Sequence, residues 1–151
     1  MVKKFGWKKY FKNCSCVSLD TSILIYLLQD DEKYSDIVDR IFQFFESKKI
    51  NLSFSSILLA ELLVYPFRNG QTDIAKDWLS YFKIEKNLEI VDLNPVIAVD
   101  AAYLRAKYNI KTPDSIHLAT AMQKENAIFL TNDLDLKKIQ EVKVICISNF
   151  N

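Results

Sequence analysis

The sequence predicts an α/β protein with a three-layer α/β/α arrangement around a mostly parallel central sheet of four to five strands. Three observations lead there. Short, largely apolar runs recur along the chain: CVSL at 16–19, INLSF at 50–54, LEIVD at 88–92, AIFLT at 127–131 and VKVICIS at 142–148. Runs this short and this apolar are consistent with buried parallel strands. Between them lie longer stretches with helical periodicity, and strands separated by helices favour parallel pairing through right-handed crossovers.

Each element has a local reason. After the strand at 16–19, Asp20, Thr21 and Ser22 open a helical run of Ile23, Leu24, Ile25, Leu27 and Leu28. A helix over 34–48 carries Ile37, Val38, Ile41, Phe42 and Phe45 at helical spacing. Ser55 and Ser56 cap the helix SILLAELLVY, which Pro66 is expected to stop. Thr72 caps the next helix, with Ile74, Ala75, Trp78, Leu79 and Phe82 on its apolar face. Asn94-Pro95 starts a helix that runs to about Tyr108, and Thr112-Pro113 starts another, DSIHLATAMQKE.

With 151 residues, half of them hydrophobic, the chain is long enough for one domain with a sizeable core. The formal net charge of +1 neither demands nor forbids a nucleic-acid partner. Gly6 and Gly70 are the only glycines, which excludes glycine-rich phosphate loops. Three cysteines do not make a disulfide framework, and Cys14 and Cys16 lack the further ligands of a zinc site. No apolar run is long enough for a signal peptide core or a membrane span, so the expected location is cytoplasmic, without a membrane partner. Lys3, Lys4, Lys8, Lys9 and Lys12 crowd the start among aromatic residues. The expected division is a flexible basic tail over 1–13 ahead of a single domain over 14–151.

Four carboxylates stand where carboxylates are costly. Asp20 lies at the end of the first strand, where it can cap a helix or face a ligand. Glu61 has Ile57, Leu58, Val64 and Tyr65 as helical neighbours, leaving it either at a helix edge or in a site. Asp114 sits in a helical first turn, a position the macrodipole favours by itself. His117, three residues on, is the only histidine and reads as a structural hydrogen-bonding residue. Asp133 follows the fourth strand, beside Thr131 and Asn132. In an open parallel sheet these positions converge on one crevice. Carboxylates gathered without histidine or cysteine ligands suit Mg²⁺ or Mn²⁺. A receiver domain would need adjacent acids and a late lysine that cannot be placed here. A haloacid-dehalogenase-like phosphatase would need an acid at Ser22.

The segments LDTSILIYLL, SSILLAELL, KTPDSIHLATA and FLTNDLDL, in that order, resemble the PIN domain family, and within it the VapC-type toxins of toxin–antitoxin pairs. The resemblance spans residues 16–148 and implies a metal-dependent ribonuclease with Asp20, Glu61, Asp114 and Asp133 as its catalytic acids. Asp20 and Asp114 would hold the ion, joined by Asp133, with Ser22 and Thr131 lining the same pocket. It also implies an RNA substrate, a cognate antitoxin and a homodimer. Arg68, Arg105, Lys107 and Lys111 are candidates for contacting RNA. Residues 1–13 depart from the family pattern. A disordered end or a misassigned start is expected there ahead of an RNA-contacting arm.

Overall fold

A computed structural model describes residues 6–150 of the chain. Five strands, β1 (Cys16–Leu19), β2 (Asn51–Ser55), β3 (Leu88–Val91), β4 (Ile128–Thr131) and β5 (Lys143–Cys146), form one sheet in the order β3-β2-β1-β4-β5. Every adjacent pair is parallel, with Val17 opposite both Leu52 and Ile128. Seven helices are described: α1 (Thr21–Leu28), α2 (Ser35–Lys48), α3 (Ile57–Leu62), α4 (Val64–Arg68), α5 (Thr72–Ile84), α6 (Pro95–Tyr108) and α7 (Thr112–Met122). Among the described residues no helix is long and apolar enough to cross a membrane.

Strand alternation divides the core between the two faces of the sheet. Val17, Leu19, Leu52, Phe54, Ile128, Leu130 and Ile145 pack with α1, α2 and Phe82 of α5. Phe129, between Ile128 and Leu130, points the other way and packs with Ile97, Leu104, Ile116 and Leu118 of α6 and α7. Burying each of these large side chains contributes about 1.5–3 kcal/mol, which outweighs the short length of the strands.

The local start signals act as their chemistry requires. Asn94 caps α6 by accepting from Ile97 N at 3.0 Å, with Pro95 at the first helical position. Two boundaries differ from expectation. Pro66 lies inside α4, because the helical run already breaks at Leu63 and Pro66 falls in the first turn of the new segment, where its missing N–H has no partner to lose. Thr72 is the first helical residue of α5, and Gln71 occupies the capping position.

The largest correction concerns the N-terminus. Residues 1–5 lie outside the described residues, but Gly6–Phe11 forms a 3-10 helix whose Trp7 and Phe11 are each only 3% exposed. Trp7 meets Phe44 edge-on at 5.4 Å and stacks on Phe150 at 5.8 Å, while Phe11 meets Phe45 at 5.0 Å. Over 6–11 the expected flexible tail is therefore part of the core: the lysines face water while the two aromatics between them are buried.

Candidate active site

Asp20 follows β1 directly and its backbone N–H donates to Leu130 O at 3.0 Å, which fixes it at the carboxyl ends of β1 and β4. Its carboxylate is buried and well partnered. Oδ1 accepts from Thr21 N at 2.8 Å, and Oδ2 accepts from Thr131 Oγ1 at 2.5 Å and from Ser22 Oγ at 3.4 Å. Asp20 is thus the cap of α1 and also a crevice residue; the two roles coexist in one side chain. Thr131 in addition accepts from Asp133 N at 3.0 Å.

Glu61 projects from α3 into the same region. Its Oε2 accepts from Thr21 Oγ1 and lies 2.7 Å from His117 Nε2, while Thr21 Oγ1 stands 3.2 Å from that nitrogen. A carboxylate can only accept, so the proton of the His117–Glu61 bond sits on Nε2. Burial pushes the Glu61 carboxyl up, but the bonds from His117 and Thr21 outweigh it and the net shift is downward. His117 is 1% exposed, and its Nδ1 has no partner among the described residues. The expected structural histidine is therefore the residue that positions Glu61. Thr21, which joins α1 to α3 and α7 through this network, was not singled out by the sequence. Its only signal is a hydroxyl directly after Asp20.

Asp114 lies in the first turn of α7, half-buried. Its carboxyl is pushed above the ordinary aspartate value by burial first, then by Asp20 and Asp133, with a further push from Glu61 and an opposing pull from His117. Asp20, Asp133 and Glu61 therefore each lie within electrostatic reach of Asp114. Asp133 is the most open: it is exposed, and its Oδ1 accepts from Asp135 N at 2.9 Å to cap the 3-10 helix Leu134–Lys138. Asn132 donates to the Tyr26 hydroxyl at 3.0 Å, beside the acids rather than among them.

The donor chemistry fits a hard divalent cation. Among the described residues no three Asp, Glu, His or Cys side chains stand close enough to hold one ion together. Mg²⁺ does not require that, since it is bound through one or two carboxylates and keeps several waters. The mutual repulsion at Asp114 is the feature a bound cation would relieve.

Of the basic candidates, Arg68, Arg105 and Lys111 are exposed at or near the ends of α4, α6 and α7. Lys107 is exposed as well, with its Nζ 2.7 Å from Glu141 Oε1 in a surface ion pair that the Tyr108 hydroxyl completes at 2.7 Å from Oε2.

An all-parallel sheet with acids collected where its central strands end defines the class, an α/β domain organised around a carboxylate crevice. The sequence profile of the PIN domain matches residues 17–142, and the chain belongs to that family. Three solved structures share the fold. VapBC2 from Rickettsia felis, bound to a DNA fragment from their promoter, gives a TM-score of 0.70 at 24% identity, over 87% of this chain and 98% of that one. A toxin–antitoxin complex from Klebsiella pneumoniae gives 0.63 at 26% identity, over 87% and 96%. DNA-bound VapBC from Salmonella typhimurium gives 0.68 at 18% identity, over 88% and 98%. No curated protein sequence matches the chain.

Proposed function

We propose that this chain is a Mg²⁺- or Mn²⁺-dependent endoribonuclease and the toxin of a toxin–antitoxin pair. The observation that carries the reading is the half-buried Asp114 carboxyl in the first turn of α7, within electrostatic reach of Asp20, Asp133 and Glu61.

Asp20 and Asp114 would hold the ion, with Asp133 and Glu61 reaching it through water. When bound, the cation polarises the scissile phosphate and lowers the pKa of a water. Thr131 and Thr21 N hold the Asp20 carboxylate in place, and His117 with Thr21 holds Glu61 as an ionised acceptor able to orient that water. Water attacks phosphorus, the bond to the 3′ oxygen breaks, and that oxygen takes up a proton. The products carry a 5′-phosphate and a 3′-hydroxyl, with no part played by the RNA 2′-hydroxyl.

The deciding experiment incubates purified protein with RNA and with DNA in Mg²⁺, Mn²⁺ or EDTA. RNA cleavage that EDTA abolishes is the expected result. Cleavage of DNA alone, or of neither polymer, would sink the reading. The toxin assignment draws on the likeness to the three complexes and predicts that expression without an antitoxin slows growth of a bacterial host, while Asp20→Asn does not. A second copy of the chain is the proposed partner for the exposed Val96, Val99 and Tyr103, spaced along one face of α6 near exposed Ile90 and Leu93. Size-exclusion chromatography with light scattering tests that dimer.

A further inference from the structure

The opposite end of the sheet carries a lysine-lined cavity. Its volume is about 270 Å³, and it opens where β4 and β5 begin, lined by Lys9, Tyr10, Lys12, Asn13, Asn126 and Lys143 among others. No acid is among its lining residues. None of the three lysines takes part in an ion pair among the described residues, in a chain whose net charge is only +1. The cavity is held in shape from below. Trp7 and Phe11 anchor the segment that carries Lys9 and Lys12, and Lys143 Nζ donates to Tyr10 O at 2.9 Å, leaving two further N–H groups. Lys9 Nζ lies 5.3 Å from the centroid of the Tyr10 ring. Lys9, Lys12 and Lys143 all fall outside the matched residues 17–142.

We propose that this pocket is a second RNA-contacting site, taking backbone phosphates from a part of the substrate that does not lie in the catalytic crevice. The choice of RNA rests on the ribonuclease reading above. Lysines without carboxylate partners, asparagine amides and an aromatic ring make the kind of surface that tracks a single-stranded backbone. The four residues of β1 separate the two sites by roughly 13 Å of strand, so a short oligonucleotide that fills the crevice leaves the pocket empty.

The test is RNA binding by fluorescence anisotropy in EDTA, across a series of salt concentrations, with single strands of about 4 and about 30 nucleotides. The variant Lys9→Gln/Lys12→Gln/Lys143→Gln is expected to lower the salt slope for the long RNA by about 2, at ~0.7 for each phosphate no longer neutralised. Its affinity for the long RNA falls about tenfold at low salt and converges on wild type at high salt. Binding and Mn²⁺-dependent cleavage of the short strand stay unchanged. Because Lys143 also holds Tyr10, the double variant Lys9→Gln/Lys12→Gln is measured beside it, with an expected slope reduction of about 1. An unchanged slope in both variants overturns the pocket. Lysine-dependent binding to anionic phospholipid vesicles, with no such dependence for long RNA, overturns it as well. If the wild type cleaves RNA but the slopes do not move, the pocket alone fails. If the wild type neither cleaves nor binds RNA, the ribonuclease reading fails and takes the pocket with it.

Discussion

The two ends of the one sheet solve the problem of charge in opposite ways. At the carboxyl ends, negative groups are crowded and partly buried, and groups from distant elements answer them: Thr131 and Thr21 N for Asp20, His117 and Thr21 for Glu61. At the amino ends of β4 and β5, Lys9, Lys12 and Lys143 are exposed with no carboxylate partner among the described residues, the first two carried on a short segment clipped to the core by two aromatics. A site made of long-range contacts couples chemistry to folding, so its substitutions act on both. A site made of solvated side chains on an anchored segment separates them: the anchor governs stability, and the lysines govern what binds.

The sharpest break of this contrast comes from the acids. Asp114→Asn and Asp20→Asn are expected to lower RNA cleavage in Mn²⁺ by about a hundredfold or more, since even outer-shell changes at metal sites cost 10–100-fold. Circular dichroism should show both variants folded. Activity within about tenfold of wild type in either would detach that acid from the chemistry.

At the other end, Trp7→Ala should destabilise the fold by about 3–5 kcal/mol, the usual cost of emptying a large aromatic site, measured by urea unfolding. Cleavage of a short RNA by the folded fraction should persist. A destabilisation below about 1 kcal/mol would show that residues 6–11 are not part of the core.

A third comparison uses pH. The Asp114 carboxyl is raised in the folded state, so its contribution to stability is fully present below the ordinary aspartate value and lost as pH rises through its folded value. Metal-free protein should therefore melt lower at pH 7 than under mildly acid conditions, and Asp114→Asn should flatten that decline. A divalent ion at a hundredfold excess over its Kd adds about 2.7 kcal/mol, so Mn²⁺ should raise the melting temperature at pH 7 and much less near pH 5. Melts in EDTA and in Mn²⁺ at both pH values decide it.

The smallest effect belongs to Glu141. Burial is the largest single influence and raises its carboxyl, but the bonds from Lys107, Tyr108 and nearby backbone N–H groups together outweigh it and hold it down at about 2. Its contribution is present above the ordinary glutamate value and lost as pH falls through about 2. Glu141→Gln should alter only the acid limb of the stability profile, and modestly, as surface ion pairs do. A change at neutral pH comparable to that of Trp7→Ala would contradict this.

What could be read from the sequence was what short-range chemistry decides. Asn94-Pro95 marked the start of α6 because cap and proline act within one turn, and the short apolar runs marked the strands, most cleanly for β1 and β4, which are buried throughout. The four acids stood out as charges in apolar surroundings, and the structure places them around Asp114. The Thr21–Glu61–His117 network was not legible, because it joins residues 40 and 56 positions apart. Burial of Trp7 and Phe11 was missed for another reason. Their spacing of four is a single helical turn, hidden among lysines and a half-buried Tyr10 that carry no periodic signal of their own.

Phe150 stacks on both Trp7 and Tyr10, at 5.8 and 5.9 Å, so the first and last described segments lie side by side. Closeness of this kind makes the order of the chain separable from its topology. The described segments at 6–11 and 147–150 could be joined by a short linker and the chain reopened at Gly70, an exposed position with φ of +65° and nothing within 4 Å of where a side chain would begin. All five strands would remain whole, β1 and β2 now following β3, β4 and β5. In that permuted protein Asp114 and Asp133 would precede Asp20 and Glu61 along the chain, yet meet them in the same crevice.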